Sequence, residues 1–263
     1  MKSLYFMHIP ATGGEFVRDS MVSAAAANNL SFYTSNQAPH PSTLESQIII
    51  SGHFGSYPTD NIPGIDTAVL IRNPIDRCIS HFNDIHDVML AERQEYISIS
   101  NYFDRLKFYL FEDPNFTNQS NMQSRFICNS ADPTIFDETK YNGVIYKINH
   151  DERNKPGGFS WFIPNDNTTL SFAKERVDSF YAAGTLDNLD SFMQKINIWF
   201  NDNYNINISY DTNLIVNESV VMFNDIAYRT SELKSMLSSD EIDKVVQNNS
   251  IDYELYQYVL KKG

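Results

Sequence analysis

The sequence predicts an α/β fold in which a parallel sheet is flanked by helices. Three short apolar runs carry this prediction: LYFMHI (4–9), QIIISG (47–52) and TAVLIR (67–72). Each run is rich in β-branched or aromatic residues and is bounded by Gly or Pro, which is typical of strands buried on both faces. Helical patterns follow the first run at about 14–27 and the third at about 74–89. This alternation of strand and helix favours a parallel sheet.

The first strand and the first helix are joined by a turn that contains Gly13 and Gly14. A glycine turn that opens a helix after a strand aims backbone N–H groups at a phosphate. A second interpretation stays open, because Thr12 and Glu15 have the spacing of a capping box and the segment would then be a well-capped helix start. The turn is not a Walker A loop, since G-x-x-x-x-G-K-[ST] does not occur in the chain.

The helix after the third strand carries its own start signals. Pro74 stands where helix position N1 would fall, and Asn73 is its expected N-cap. We expect the region at about 90–130 to be helical and aromatic. The polar stretch at about 151–168, rich in Pro and Gly, is typical of a loop that covers a site.

The last third of the chain predicts a short strand and then an amphipathic helix within 179–200. Ser238 and Glu241 have capping-box spacing, which predicts a terminal helix reaching about Leu260. No linker, repeat or low-complexity segment interrupts these elements. The sequence therefore predicts a single domain over residues 1–263.

Composition narrows the function classes. The net charge of -13 disfavours nucleic acid and makes a strongly anionic polymer an awkward partner. No run approaches the ~18 apolar residues of a membrane span, and the chain begins directly with a strand pattern, so we expect a cytoplasmic protein without a membrane partner. Cys78 and Cys128 have no C-x-x-C spacing and sit in apolar surroundings, which predicts buried free thiols in a reducing compartment.

A second candidate segment is VLIRNPIDRCISHF (69–82), which places Arg72 at the end of a strand and Ser80 on the following helix. A guanidinium beside a helix N-terminus suits a fork-like grip on a phosphate. The alternative is that Arg72 pairs with Asp76 and that Ser80 faces solvent.

Taken together, HIPATGG (8–14) and RNPIDRCIS (72–80) resemble the two nucleotide-binding signatures of the sulfotransferases that use 3'-phosphoadenosine 5'-phosphosulfate (PAPS). The similarity is to the branch that includes heparan and chondroitin sulfate sulfotransferases and their bacterial and viral relatives. NMQSRFIC (121–128) is similar to the N-x-Q-x-R-x-[LI] signature of that branch. The C-terminal LSSDEIDKVVQNNSIDYELYQY resembles its closing helix, so the resemblance covers most of the chain.

The resemblance implies a P-loop-like sulfotransferase fold and a role for each matching residue. The turn would hold the 5'-phosphosulfate on its backbone N–H groups, Arg72 and Ser80 would hold the 3'-phosphate, and His53 would be the catalytic base. The nucleotide-binding residues it implies are Ala11, Thr12, Gly13, Gly14, Glu15, Phe16, Arg72, Ser80 and Asn217. The residues it places near the acceptor are Asn121, Gln123 and Arg125. The product would be 3'-phosphoadenosine 5'-phosphate (PAP).

Two residues depart from the family pattern. Relatives have Lys in place of Ala11, where the ammonium stabilises charge on the leaving phosphate, and Thr or Ser in place of Glu15. A carboxylate beside a bound phosphate opposes anion binding by like-charge repulsion. Arg18, Arg125 and Lys155 are the cations that could replace the missing lysine.

The sequence leaves two functions open. The first is a PAPS-dependent sulfotransferase that acts on a hydroxyl of a sugar or a small molecule, and the acidic charge favours a neutral or small acceptor. The second is a sulfotransferase-like protein that binds the nucleotide but has lost transfer. An adenylate-type kinase is disfavoured because the Walker lysine is missing. No metal is expected, because the five-residue spacing of His81 and His86 does not put both rings on one helix face.

Overall fold

The computed structural model describes residues 2–35, 41–113, 120–129, 167–210, 220–223 and 226–262. The strands, in chain order, are β1 (Leu4–Met7), β2 (Phe32–Ser35), β3 (Ile49–Gly52), β4 (Asp66–Ile71), β5 (Ala182–Thr185), β6 (Val220–Phe223) and β7 (Ile226–Arg229). The first five form one parallel sheet in the order β2-β3-β1-β4-β5, and β6 pairs with β7 in an antiparallel ribbon. The α/β prediction with a parallel, helix-flanked sheet is confirmed.

The helices of the described residues fill the spaces between the strands. They are α1 (Gly14–Ala27), α2 (Pro41–Glu45), α3 (Tyr57–Asn61), α4 (Pro74–Glu92), α5 (Gln94–Ile97), α6 (Tyr102–Phe111), α7 (Met122–Cys128), α8 (Asn167–Ser179), α9 (Leu189–Tyr204), α10 (Thr230–Met236), α11 (Ser239–Asn248) and α12 (Ser250–Leu260). Among them, none combines the length and the apolar character needed to cross a membrane.

The sheet is buried between two layers of helices because successive side chains of a strand point to opposite faces. On β1, Leu4 and Phe6 pack against α1 and α9, whereas Tyr5 and Met7 pack against α7, α8 and α12. All four of these side chains are fully buried, which explains why the strands read as continuous apolar runs. A separate cluster joins α4 to α5, α6, α10 and α11.

Most predicted elements are present with small shifts of their ends. The predicted start of α4 is confirmed: Asn73 caps it by accepting from the N–H of Ile75 across 3.0 Å, and Pro74 is its first residue. The capping box of Ser238 and Glu241 is confirmed at the start of α11. Both cysteines are buried free thiols, as predicted.

Two parts of the prediction need correction. The edge strand β2 was not predicted; its sequence, FYTS, ends in two polar residues and is not part of a continuous apolar run. The single terminal helix is in fact two, because Asn249 lies between α11 and α12 with φ -116° and ψ 33°. Its side chain donates to the Val245 carbonyl across 2.9 Å, an example of an amide that competes with helical hydrogen bonding. The predicted covering loop at about 151–168 falls outside the described residues up to position 166, and its last two positions belong to α8, which begins at Asn167.

The topology concentrates loops at one edge of the sheet. All five strands of the sheet are parallel, so the loops that follow them meet at its carboxyl edge. The chain leaves β1 toward the β2 side and leaves β4 toward the β5 side, which opens a crevice between the ends of these two neighbouring strands. Crevices of this kind are where open α/β sheets bind ligands.

Candidate functional site

The turn between β1 and α1 forms one wall of this crevice. Ala11 has φ +63° and Gly13 has φ +82°, so the chain passes twice through the left-handed region before α1 begins. Gly13 is the N-cap of the helix and has no side chain, so it supplies no acceptor to the first-turn N–H groups. The capping-box interpretation of this turn is wrong, because the Thr12 hydroxyl instead donates to the Ile9 carbonyl across 2.9 Å.

Gly14 allows α1 to approach the end of β1 closely. A Cβ atom at this position would lie 2.3 Å from Cδ2 of His8, a distance that no side chain tolerates. The imidazole of His8 therefore packs directly on the helix backbone. Glu15 follows with an exposed side chain, and Phe16 is partly buried against the core between the sheet, α1 and α9. The candidate nucleotide turn thus packs closely against His8 on its inner side, and Glu15 is exposed on its outer side.

His53 lies immediately after β3 and faces His8. Its Nδ1 lies 2.5 Å from the backbone carbonyl oxygen of His8, and the two ring centroids are 4.7 Å apart. A carbonyl oxygen can only accept, so Nδ1 carries the proton and Nε2 keeps its lone pair. Burial lowers the pKa of His53, and it lowers the pKa of His8 to about 3 with the charges of His53 and Arg18 acting in the same direction. Both rings are neutral at pH 7.

The loop that carries His53 is fastened to α7. The backbone N–H of Ser56 donates to the Asn129 carbonyl across 2.6 Å, and the Ser56 hydroxyl donates to the Ile127 carbonyl. Gly55 has φ +56°, and a Cβ atom there would lie 2.3 Å from the Asn129 carbonyl oxygen. Only glycine fits this approach. The position of His53 therefore depends on the end of α7 as well as on the sheet.

Arg72 follows β4 and connects the two strand ends. Its side chain is 6% exposed, and its Nη1 donates to the carbonyl of Ala11 across 3.3 Å. Burial lowers the pKa of Arg72, while the carboxylates of Asp76, Asp84 and Asp187 act against this. The guanidinium therefore lies in the crevice, against the turn that opens α1.

Ser80 lies two turns into α4 and is 4% exposed, so the alternative that it faces solvent is wrong. Asp84 follows one turn later. Desolvation and the Glu15 carboxylate raise the pKa of Asp84 to about 6, although its side chain is exposed at the surface. The Glu15 carboxylate raises the pKa of Asp84 and the Arg72 guanidinium lowers it, so Asp84 lies near both charges. Asp76 forms an ion pair with Lys234 across 2.8 Å.

The three residues expected near an acceptor lie on or beside α7, and all three are hydrogen-bonded within the protein. The Asn121 Oδ1 accepts from the N–H of Asp252 across 2.9 Å. The Gln123 side chain is bound to the backbone of Arg72. Arg125 is buried and donates to the Ser120 carbonyl across 3.3 Å. Contact with an acceptor stays a prediction, whereas a positioning role follows from these bonds.

Asp252 organises this part of the site from the C-terminal helix α12. Its fully buried carboxylate accepts from the N–H groups of Gln123 and Ser124 across 2.9 and 2.7 Å, and from the Ser124 hydroxyl across 2.6 Å. It thus replaces the N-cap side chain that α7 lacks. Burial raises the pKa of Asp252, and these hydrogen bonds oppose the shift. Sequence reasoning missed this contact because no local pattern links residues so far apart.

Sequence reasoning also missed the polar groups after β5. Asp187 accepts from the Tyr256 hydroxyl across 2.9 Å, and its negative charge raises the pKa of Arg72. Thr185, at the end of β5, has a buried hydroxyl without a hydrogen-bond partner in the described structure. The sequence signal for these two residues was their position at or just after the end of a predicted strand, at the carboxyl edge of the sheet. Asn217 and Lys155 lie outside the described residues.

The two helical histidines are engaged separately. His81 Nδ1 is 2.7 Å from the Tyr109 hydroxyl, and His86 accepts from Arg105 at Nε2 across 3.3 Å. Over the part of the chain that is described, no group of three or more His, Cys, Asp or Glu side chains is placed to hold a metal ion.

A scan against models of protein families finds no match to the chain, and a search of curated proteins finds no significantly similar sequence. The geometry of the crevice therefore carries the functional argument.

Proposed function

We propose that the crevice between β1 and β4 binds PAPS, and that the protein transfers the sulfuryl group to a hydroxyl of a sugar or small molecule. In this proposal the fold is the P-loop-like fold of sulfotransferases. The observation that carries it is the contact between Arg72 and the Ala11 carbonyl, because it brings the two candidate phosphate-binding segments, distant in sequence, to one point. Buried Cys78 and Cys128 favour a reducing compartment such as the cytoplasm.

The proposed binding mode uses groups that the site already orients. The first-turn N–H groups of α1 receive the 5'-phosphosulfate, since main-chain donors at a helix start bind anions in any sequence. Arg72 and Ser80 receive the 3'-phosphate, and the buried guanidinium is fixed before the ligand arrives. A charge-assisted contact of this kind is worth ~1.5–3 kcal/mol.

The proposed transfer is an in-line displacement at sulfur. The acceptor oxygen forms a bond to sulfur while the bond from sulfur to the 5'-phosphate oxygen breaks, and that electron pair stays on the phosphate of PAP. The acceptor proton passes to Nε2 of His53. The bond from Nδ1 to the His8 carbonyl supports this role, because it keeps Nε2 unprotonated and aligned. Positioning and charge stabilisation supply much of the catalysis, as in phosphoryl transfer.

A second candidate is a nucleotide-binding protein without transfer activity. Ala11 provides no cation, and the Glu15 carboxylate lies at the start of α1, where negative charge weakens anion binding. This candidate shares the nucleotide with the first and differs only in turnover.

Calorimetric titration of the protein with PAP, AMP and ATP tests the shared step. PAP should bind more tightly than either, and Arg72→Ala should weaken its binding by ~1.5–3 kcal/mol. Lys244→Ala removes an exposed positive charge from α11 and is the matched control, with unchanged affinity expected. Equal affinity for PAP and AMP would refute the assignment. Release of PAP from PAPS in the presence of sugars and small alcohols then separates the two candidates.

A further inference from the structure

Arg18 lies over the opening turn of α1. It is four residues after Gly14 and therefore on the same helix face, which is the face that packs on His8. Long side chains on a helix point back toward its N-terminus, and the Arg18 Nη1 lies 3.8 Å from Glu15 in the first turn of α1. Its side chain is 26% exposed. Arg18 is thus a partly shielded cation at the mouth of the crevice.

Two carboxylates lie near the guanidinium of Arg18, one closer than the other. Its Nε donates to Asp19 across 2.8 Å, whereas its Nη1 is 3.8 Å from Glu15, beyond hydrogen-bond distance. Within the described part of the chain, its Nη2 has no hydrogen-bond partner. The Glu15 pair is the weaker one and leaves donors available. Because Glu15 is largely exposed, exchanging it for another anion costs little desolvation.

The positive charge of Arg18 acts on both histidines of the site, including the proposed base His53. It contributes to lowering the pKa of His8 and the pKa of His53. Arg125, the other described candidate for the missing cation, is buried and donates to the Ser120 carbonyl. Arg18 is therefore the described cation that combines a position on α1 with an effect on the proposed base.

On the proposed function above, we infer that Arg18 replaces the lysine absent at Ala11 and that its guanidinium binds the 5'-phosphate of the nucleotide. Glu15 holds Arg18 in the free protein and gives way to the phosphate when the nucleotide binds. During transfer, Arg18 stabilises the electron pair that the breaking bond to sulfur leaves on the phosphate oxygen. The two departures from the family pattern are then linked: Arg18 supplies the cation that Ala11 lacks, and Glu15 pairs with Arg18 until the nucleotide binds.

The test assigns each cation to one phosphate. Calorimetry on the full chain uses three ligands: PAP, adenosine 3'-phosphate and adenosine 5'-phosphate. Arg18→Ala should weaken the binding of PAP and of adenosine 5'-phosphate about 10- to 100-fold. The affinity for adenosine 3'-phosphate should change by no more than about twofold. Arg72→Ala should weaken PAP and adenosine 3'-phosphate and spare adenosine 5'-phosphate. Lys244→Ala again controls for net charge.

A rescue experiment separates contact from mere structural support. Ala11→Lys in the Arg18→Ala protein should restore most of the PAP affinity, because an ammonium returns to the same phosphate. Arg18→Lys should lose less PAP affinity than Arg18→Ala. If Arg18→Ala weakens all three ligands equally, or leaves PAP binding unchanged, the role of Arg18 is refuted while the nucleotide assignment stands. If the parent protein binds none of the three, the proposed function fails and the inference fails with it.

Discussion

The side chain of Gln123 binds both backbone groups of Arg72: its Oε1 accepts from the Arg72 N–H across 2.8 Å, and its Nε2 donates to the Arg72 carbonyl across 2.9 Å. An amide is the side chain that offers a donor and an acceptor side by side. The end of β4 is thereby fixed to α7, and through Asp252 to α12. The direction of the Arg72 guanidinium depends on this chain of contacts.

Gln123→Met should uncouple Arg72 without changing the size of the side chain much. It leaves a buried N–H and a buried C=O without partners, which costs ~1–3 kcal/mol each, so the free energy of unfolding should fall by ~2 kcal/mol or more. PAP affinity should fall several-fold as Arg72 loses its fixed orientation. Urea unfolding and calorimetry measure the two effects. Gln194→Met, at an exposed position of α9, is the matched control. Unchanged PAP affinity in a folded Gln123→Met protein would contradict the positioning role.

His53 is expected to act as the base, and two substitutions test this. His53→Ala removes the ring and its N–H donor, whereas His53→Asn keeps an N–H donor for the His8 carbonyl but has no basic nitrogen in place of Nε2. Both should lower transfer ~10²–10⁴-fold and leave PAP affinity nearly unchanged. The measurement is PAP release from PAPS with a panel of sugars and small alcohols. Activity of His53→Asn near the parent level would remove His53 from the mechanism.

The pH profile of transfer should reflect the lowered pKa of His53. The base works only when neutral, and burial keeps it neutral below the ordinary histidine value of 6.5. Transfer should therefore stay constant as the pH falls through 6.5 and decline only at lower pH. Rates measured between pH 5 and 8 check this. A decline centred at or above 6.5 would show that the titrating group is not a buried His53.

Ala11→Lys combined with Glu15→Thr restores the family pattern and should raise turnover more than affinity. A cation that follows charge onto the leaving oxygen acts mainly in the transition state. In the Arg18→Ala protein the gain should be ~10²–10³-fold, the usual effect of one charge-stabilising donor. In the parent protein, where Arg18 is present, the gain should be clearly smaller. Equal gains in both proteins would show that Arg18 and the lysine act independently.

His81 should make the protein less stable in mild acid. Its burial lowers the pKa to about 3 in the folded state, whereas the unfolded chain binds the proton at about 6.5. Below pH 6.5 the unfolded state therefore takes up the proton and stability falls with it. Between pH 7.5 and 5.5 this histidine costs about 1.4 kcal/mol. His81→Gln should reduce the loss of unfolding free energy over that range by this amount. Asp84, with its pKa raised to about 6, acts in the opposite direction but equally in both proteins.

Local sequence patterns predicted the helices that have clear N-terminal caps and the strands that are buried on both faces. β1, β3 and β4 stand out because both faces of each strand are covered, and α4 and α11 stand out through their caps. β2 did not, because two of its four residues are polar and Phe32 is 41% exposed. The break at Asn249 was also missed, although Asn248, Asn249 and Ser250 are residue types that favour helix caps and turns.

The site was predicted in outline only. Local sequence singled out the glycine turn and the strand-end Arg72, and the contact between Arg72 and the Ala11 carbonyl brings these two segments together. The capping-box pattern predicted that the Thr12 hydroxyl accepts from the N–H of Glu15, whereas in the folded turn it donates to the Ile9 carbonyl. The carboxylate of Asp252 acts across the fold on α7, and such a contact follows from tertiary packing rather than from any pattern along the chain.

The place of Asp252 in the chain fixes the time at which the site is completed during synthesis. Gln123 and Asp252 are separated by 129 residues. A ribosome that adds about 5–20 residues per second needs roughly 6–26 s to cover that distance. Over this interval the N–H groups of Gln123 and Ser124 at the start of α7 lack the buried carboxylate that accepts from them. The start of α7 therefore receives this partner only after α12 has been made and has docked.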